Sequence, residues 1–164
     1  MPSISADTSF SGQLLTFVVA AEEFGVDILR VQEIRGWSRP MPLPNTAPYI
    51  KGVINIRGDI VPIADLRERL GLAPVEIGPT TVIVVVRVEH GGHGRTMGFI
   101  VDAMSDVSTV ARDAVKEPPD LAEATGMVRM ARGIALVDER MITILDVDRV
   151  FPIPNPSLGA DAAA

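Results

Sequence analysis

The fold is decided by residues 49–67, which read YIKGVINIRGDIVPIADLR. Within this stretch, two short runs rich in valine and isoleucine, residues 52–56 and 60–64, lie on either side of the triplet Arg57-Gly58-Asp59. Short β-branched runs that flank a glycine-containing turn are typical of a β-hairpin. The stretch therefore predicts two antiparallel strands whose turn projects Arg57, with Gly58 supplying the unusual backbone torsions.

A short helix is predicted directly after this hairpin. Asp65 is a favourable N-cap residue, and Leu66 and Leu70 follow it at helical spacing. Gly71 is a suitable residue to end the helix.

The same pattern recurs further along the chain. A shift of 81 residues places residues 52–54 on 133–135, 60–63 on 141–144, and 65–66 on 146–147. Asp146 therefore matches Asp65, and it is predicted to cap a second short helix that contains Val147, Val150 and Phe151. A shift of 73 residues places 24–26 on 97–99 and 31–34 on 104–107. About 80 residues suffice for a five-stranded barrel but are marginal for one that stands alone. The sequence therefore predicts two similar β units that pack on or interlock with each other, the alternative being chance similarity between short hairpins.

Glycine and proline punctuate the short apolar runs along the whole chain. There are 14 glycines and 13 prolines among 164 residues, which favours a mainly β fold over long helices. A second hairpin turn is predicted at residues 138–140, and the HGGHG segment at residues 90–94 predicts a longer, flexible turn. The candidate strands are residues 14–20, 24–30, 52–56, 60–64, 80–88, 96–101, 104–110, 133–137 and 141–145.

Composition excludes several classes of function. Fifteen Lys and Arg against 21 Asp and Glu give a net charge of −6, which is the wrong sign for a protein that binds a phosphate backbone. Aromatic residues, on which nucleic-acid bases stack, make up only 4% of the chain. No nucleic-acid partner is predicted. The absence of cysteine excludes disulfides, thiol catalysis and iron–sulfur clusters.

No catalytic constellation is recognisable. The only two histidines, His90 and His93, share one glycine-rich turn, so no nucleophile has an evident general base. With Glu89 they form a weak candidate set of metal ligands, because no further side chains that would orient these ligands are evident. An exposed turn is the favoured interpretation. No catalytic residue, metal or cofactor is predicted. A small-molecule-binding or enzymatic β-barrel, which requires convergent titratable groups, is the alternative function.

Neither membrane insertion nor secretion is expected. No purely apolar run exceeds five residues, as at 82–86, whereas roughly 20 are needed to cross a bilayer. The first positive side chain is Arg30, and residues 1–12 are mostly small and polar, whereas a secretory signal needs cationic residues before an apolar stretch. A cytoplasmic location is expected.

Residues 24–37 alternate apolar and polar side chains up to Leu29 and then slip phase. Such a slip predicts a bulge or bend that turns the following side chains to a new face. Val31 and Ile34 are then candidates for surface-facing apolar residues, although core is the default for any aliphatic residue. Arg57 is well placed to bind a carboxylate of a partner, although on sequence grounds a solvated turn charge is favoured.

Together, the bent strand, the hairpin and the segments VQEIRG at residues 31–36 and VDAMSDV at residues 101–107 resemble the CheW family of bacterial chemotaxis coupling proteins. The similarity runs from about residue 13 to residue 151. It implies two intertwined five-stranded SH3-like β-barrels with short helices, residues 1–12 forming an N-terminal arm and residues 152–164 a flexible tail. Because 164 residues leave no room for a kinase or receiver domain, a stand-alone family member is the better match.

The resemblance also implies a function. CheW-like proteins are non-catalytic adaptors that join the cytoplasmic tips of methyl-accepting chemoreceptors to the regulatory domain of the histidine kinase CheA, so recruitment to membrane-bound receptor arrays is expected. By resemblance, the receptor-binding groove between the barrels involves Ile28, Val31, Glu33, Ile34, Val82 and Met104. The kinase-facing surface involves Lys51, Arg57 and Gly58. The family's motifs leave the partner of Arg57 open.

Overall fold

A computed structural model describes residues 10–73, 76–117 and 129–151 of the chain. Two single-turn helices, α1 (Leu66–Arg69) and α2 (Val147–Val150), follow β5 and β11, and 3-10 turns cover Ile28–Arg30 and Arg112–Ala114. The strands are β1 Gln13–Val19, β2 Glu22–Asp27, β3 Val31–Gly36, β4 Ile50–Ile56, β5 Asp59–Asp65, β6 Val82–His90, β7 His93–Val101, β8 Ala103–Thr109, β9 Val115–Lys116, β10 Ala131–Val137 and β11 Arg140–Leu145.

The strands form two curled sheets, and each sheet mixes the two halves of the chain. One sheet has the order β3-β6-β7-β5-β4 and is called the first barrel; the other has the order β8-β1-β2-β11-β10-β9 and is called the second barrel. Strands β1 and β2 of the N-terminal half thus lie in the second barrel, whereas β6 and β7 of the C-terminal half lie in the first. The prediction of two intertwined barrels is confirmed, with the two-residue β9 as a sixth strand in the second barrel.

The internal repeat is equally visible in the strand register. In the first barrel Ile63 of β5 pairs in parallel with Gly98 of β7, and in the second Ile144 of β11 pairs in parallel with Gly25 of β2. These four residues are related by the shifts of 81 and 73 found in the sequence. The repeat therefore reflects a structural duplication and not a chance similarity between hairpins.

The structure has three apolar clusters among its described residues, and the central one joins the two barrels. Ile83 and Val85 of β6 belong to the cluster inside the first barrel, whereas Val84 and Val86 face a central core shared by both barrels and both helices. Strand β6 is buried on both faces, which explains its uninterrupted run of valine and isoleucine. A third cluster fills the second barrel. In the central core, the ring centroids of Phe17 and Phe99 lie 5.5 Å apart.

The first barrel closes because the chain after β3 returns to pair with β4. The N–H of Met41 donates to the carbonyl oxygen of Val53, and the N–H of Val53 donates back, both at 2.9 Å. Gly52, with φ of +143°, makes room for this crossing, since a Cβ at that position would overlap the carbonyl oxygen of Met41.

Two predicted elements differ from the structure. The predicted strand 24–30 ends at Asp27 because residues 28–30 form a 3-10 turn, and the following residues begin β3, a strand that the phase slip concealed. The predicted longer turn at residues 90–94 is instead a tight two-residue turn, since Gly91 and Gly92 both have positive φ and His90 pairs with His93. Residues 1–9 of the predicted arm and the predicted tail at 152–164 lie outside the described residues. None of the described helices is long and apolar enough to cross a membrane.

Candidate functional site

Four of the six residues assigned to the receptor groove lie against one apolar core. Ile28, Val31, Val82 and Met104 come from the first 3-10 turn and from β3, β6 and β8, and all four are half-buried where they pack against the central core. The prediction that Val31 faces the surface is therefore only partly correct.

The other two groove residues lie side by side on β3, an edge strand of the first barrel. Gln32 is an extra residue relative to β6, because Val31 pairs with Val86 and Glu33 pairs with the adjacent Val85. This bulge is the predicted phase slip. It leaves Ile34 with 43% of its surface exposed, as expected of a surface-facing apolar residue.

The 3-10 turn in front of β3 presents an apolar side chain that the sequence analysis missed. Leu29 is 73% exposed at this turn. The turn is fixed by Asp27, a buried carboxylate that accepts the N–H of Leu29 at 3.0 Å and the hydroxyl of Ser11 at 2.6 Å. An aspartate just before a phase slip is the signal that could have located the turn, since aspartate is a favourable helix cap.

Arg57 and Glu33, which the sequence analysis placed on different surfaces, form one ion pair. Arg57 Nη2 lies 2.5 Å from Glu33 Oε1, and Arg35 Nη1 lies 3.5 Å from the other oxygen of the same carboxylate. The Arg57 side chain is 75% exposed and that of Glu33 only 24%. The receptor-assigned and kinase-assigned residues thus meet at the rim of the first barrel.

The turn that carries Arg57 requires unusual torsions at both of its central residues. Arg57 has φ of +49° and Gly58 has φ of +92°, and the N–H of Gly58 donates to Asn55 Oδ1 at 2.8 Å. Gly58 supplies one of the two unusual torsions, as expected, and Arg57 supplies the other, because a two-residue hairpin turn of this type needs positive φ at both positions.

Lys51 lies on β4, the strand at the other edge of the same sheet. Its ammonium group forms an ion pair with Glu68 of α1, and both side chains are partly exposed. No described contact joins Lys51 to Arg57. The residues assigned to the kinase therefore present two separate charged positions, one on β4 and one at the β4–β5 turn.

Three further ion pairs join the two halves of the chain. One connects Arg140 of β11 to Glu23 of β2 at 2.8 Å, and the other two involve the short helices. Arg67 of α1 reaches Asp102, in the link between β7 and β8, with Nη2–Oδ2 at 2.7 Å and Nε–Oδ1 at 3.1 Å. Asp148 of α2 reaches Arg30, in the link between β2 and β3, at 2.5 and 2.9 Å.

The pKa values of these groups reflect the pairing. Burial acts to raise the pKa of Asp102 and of Asp148, but hydrogen bonds from the paired arginine and from a backbone N–H outweigh it, and both pKa values are lowered. The hydrogen bond with the paired aspartate raises the pKa of Arg30 and of Arg67. By contrast, burial raises the pKa of Asp65, the cap of α1.

The polar groups described above are used for caps, turns and ion pairs. Within residues 10–73, 76–117 and 129–151, no three histidine, aspartate or glutamate side chains lie together as a metal site. Aliphatic side chains such as Ile54, Ile63 and Ile83 fill the first barrel, which argues against a small-molecule site in its interior.

Fold and surface together define a two-barrel module with partly exposed apolar side chains along edge strand β3 and a charged hairpin. Residues 13–154 match the family model described as the CheW-like domain. The chain is 39% identical over 145 residues to the chemotaxis protein CheW of Rhizobium meliloti, covering 88% of this chain and 90% of that protein. It is 30% identical over 148 residues to the chemotaxis protein CheW of Bacillus subtilis, covering 90% of this chain and 92% of that one.

A solved structure agrees with these relatives. The scaffolding protein TtCheW from Thermoanaerobacter tengcongensis superposes with a TM-score of 0.76 at 29% sequence identity, covering 87% of this chain and 88% of that one. The chain therefore belongs to the CheW-like domain family, as its motifs indicated.

Proposed function

We propose that this protein is a non-catalytic chemotaxis adaptor that couples methyl-accepting chemoreceptors to the histidine kinase CheA in cytoplasmic, membrane-associated arrays. Residues 13–151 form the adaptor domain. The receptor tip binds along β3 and the groove beside it, and the regulatory domain of the kinase binds the first barrel at its β4–β5 hairpin.

The observation that carries this proposal is the apolar surface that begins at the 3-10 turn and continues along edge strand β3. Leu29 and Ile34 are exposed there, beside the half-buried Ile28 and Val31. An apolar strip of this kind suits the apolar face of a helical partner, because each anchor side chain removes further hydrocarbon surface from water. We therefore assign this strip to the receptor tip.

The kinase-facing assignment is supported by charge. Arg57 is mostly exposed although it is paired with Glu33, so its guanidinium retains donors for a carboxylate of a partner. Lys51 lies on the same hairpin and is held by Glu68.

The proposal as a whole is tested by reconstitution. Kinase autophosphorylation is measured with receptor present, with and without this protein, and the protein alone is assayed for phosphotransfer. We expect a change in kinase rate only when all three components are present, and no phosphotransfer by the protein itself. Receptor control of the kinase that is unaffected by omission of this protein contradicts the proposal.

The receptor surface is tested with a matched pair of variants. Ile34→Asp places a charge at the apolar contact, whereas Val107→Asp places it at the repeat-related position of β8, where Val107 is 48% exposed. A carboxylate buried without a partner is costly. We expect Ile34→Asp to weaken binding of a receptor-tip fragment by at least tenfold in calorimetry and Val107→Asp to leave it within twofold. Equal effects of the two variants contradict the assignment of β3.

A further inference from the structure

The 3-10 turn that presents Leu29 is not held by the packing of a buried side chain. None of its three residues, Ile28–Arg30, is buried, and Ile28 packs against the central core only as a half-buried side chain. Leu29 is 73% exposed at the centre of the turn. A single turn with so little apolar contact opens readily unless polar groups fix it. The position of Leu29 therefore depends on the hydrogen bonds and ion pairs at the two ends of the turn.

The first end of the turn is fixed locally by Asp27, whereas the last end is fixed by α2. The guanidinium of Arg30 donates to both carboxylate oxygens of Asp148, at 2.9 and 2.5 Å, and to the carbonyl oxygen of Arg87 at 2.7 Å. The N–H of Glu89 donates to the same carboxylate at 2.8 Å. Asp148 thus joins the turn, the end of β6 and α2 in one network.

This network is well suited to holding the turn in one orientation. A bidentate pair between an arginine and a carboxylate fixes an angle as well as a distance. The side chains of Arg30 and Asp148 are 31% and 25% exposed, so water competes only partly for the pair. Arg30 directly follows Leu29 and directly precedes Val31, the first residue of β3. Restricting Arg30 therefore restricts its two neighbours, which both belong to the apolar strip assigned to the receptor.

We propose that Asp148 is a positioning residue for the receptor: by holding Arg30, it fixes the 3-10 turn so that Leu29 is already oriented for the apolar face of a helical receptor tip. Asp148 acts through Arg30 and does not itself contact the receptor. A turn that is ordered before binding avoids the conformational cost of being ordered at the moment of binding. This inference rests on the proposed adaptor function and adds to it a residue that lies outside the receptor-binding strip, in α2.

Hydrogen exchange of the free protein tests whether Asp148 holds the turn. The N–H groups of Leu29 and Val31 both have acceptors at the turn. In Asp148→Ala we expect both to exchange at least tenfold faster than in the parent. The control is Arg140→Ala, which removes the ion pair with Glu23 in the second barrel and should leave both rates within twofold. Unchanged exchange in Asp148→Ala, or an equal increase in Arg140→Ala, overturns the proposal.

A double-mutant cycle tests whether the held turn matters to the receptor. Binding of a receptor-tip fragment is measured by calorimetry for the parent, Asp148→Ala, Leu29→Ala and the double variant. We expect each single change to weaken binding by about fivefold, and the double variant to bind about as weakly as Leu29→Ala alone, because no leucine is left to position. Losses that multiply in the double variant overturn the proposal, since Asp148 would then act independently of Leu29.

Arg30→Gln is a second way to break the pair. It leaves Asp148 free to accept the N–H of Glu89, so α2 and the end of β6 stay joined. The proposal requires the same faster exchange and the same cycle with Leu29→Ala, and it decides the matter if Asp148→Ala does not fold. Parent-like exchange and binding in Arg30→Gln overturn the proposal.

The binding measurements separate this inference from the function on which it rests. If the parent does not bind the receptor-tip fragment, the proposed function fails and the inference fails with it. If the parent binds and Leu29→Ala weakens binding but Asp148→Ala does not, the proposed function stands and the inference alone is overturned. Binding that Leu29→Ala leaves unchanged also overturns the inference, because the turn then lies outside the contact.

Discussion

The two hairpin–helix units, residues 49–71 and 130–151, share a backbone plan but differ in their charges. In the first, the N–H of Asp65 donates to the carbonyl oxygen of Tyr49 at 2.7 Å; in the second, the N–H of Asp146 donates to that of Met130 at 2.9 Å. Each aspartate caps its helix, accepting a backbone N–H from two residues ahead.

The differences lie where side chains meet another part of the protein or a partner. The first turn is Arg57-Gly58 and the second Asp138-Glu139, and all four residues have positive φ. The first helix carries Arg67 and the second carries Asp148 at the equivalent position. The two units therefore share the caps and strands that build the barrels, and they differ in the charges that they present at the turn and on the helix.

The largest difference is expected at the glycines beside each bulge. Gly52→Ala should destabilise the protein by about 4 kcal/mol or more, because the new methyl group overlaps the backbone oxygen of Met41 and the residue has φ of +143°. Gly133→Ala should cost about 2 kcal/mol, since its methyl would lie 2.9 Å from the carbonyl oxygen of Lys116 and the strain of positive φ is absent. Urea unfolding of both variants checks the order, and equal losses would show that the two crossings are equally tight.

A second difference is expected at the turn cation. Arg57→Glu should weaken binding of the kinase regulatory domain by about 2 kcal/mol, because it replaces attraction with repulsion at a partly solvated contact. Stability should change by less than about 1 kcal/mol, since the ion pair with Glu33 is mostly exposed on the arginine side.

The control for this prediction reverses both members of the pair. Glu33→Arg with Arg57→Glu rebuilds the ion pair between residues 33 and 57, places a second cation beside Arg35, and still presents the wrong charge to a partner. If pull-downs with the kinase domain and with the receptor tip show normal binding of Arg57→Glu to both, Arg57 is a solvated turn residue. If the double variant alone restores binding, the role of Arg57 is to hold Glu33.

The acid dependence of stability should reveal the contributions of the Arg67–Asp102 and Arg30–Asp148 pairs. The folded-state pKa values of Asp102 and Asp148 are lowered, so each contributes stability that is present above the unfolded value of about 4 and is lost as the pH falls through the folded value. Asp65 acts in the opposite direction, because its raised pKa means that its ionised form is disfavoured by folding. Asp102→Asn or Asp148→Asn should therefore flatten the loss of stability below about pH 4 in urea titrations, whereas Asp65→Asn should not. If the loss of stability below about pH 4 is the same in Asp102→Asn and in Asp148→Asn as in the parent, this account is contradicted.

The contrast between the units also explains what the sequence could and could not predict. The hairpins and helices followed from local signals, namely the turn residues, the β-branched runs and the capping aspartates. The repeat predicted two units that pack on or interlock with each other, and the family resemblance implied that they intertwine. Strand β3 was missed because a 3-10 turn breaks the alternation just before it. The carboxylate of Asp27 caps this turn and is itself held by the distant Ser11. The contact between Arg57 and Glu33 depends on closure of the barrel, which brings together two edge elements that no local pattern relates.

The smallest expected effect concerns the turn of the second unit, which lacks the glycine of the first. Glu139 has φ of +66°, a left-handed conformation that costs a residue with a side chain about 1 to 2 kcal/mol, whereas glycine adopts it freely. Glu139→Gly should therefore stabilise the protein by about 1 kcal/mol, less than the full strain because glycine also gains freedom in the unfolded chain. Glu139→Ala is the matched control, since it removes the charge but keeps the strain, and its midpoint in urea should stay close to that of the parent.

The reverse change in the first unit, Gly58→Ala, should cost a similar amount, because Gly58 has φ of +92° and open space around it. If Glu139→Ala stabilises as much as Glu139→Gly, repulsion between Glu139 and its neighbour Asp138, and not backbone strain, separates the two turns.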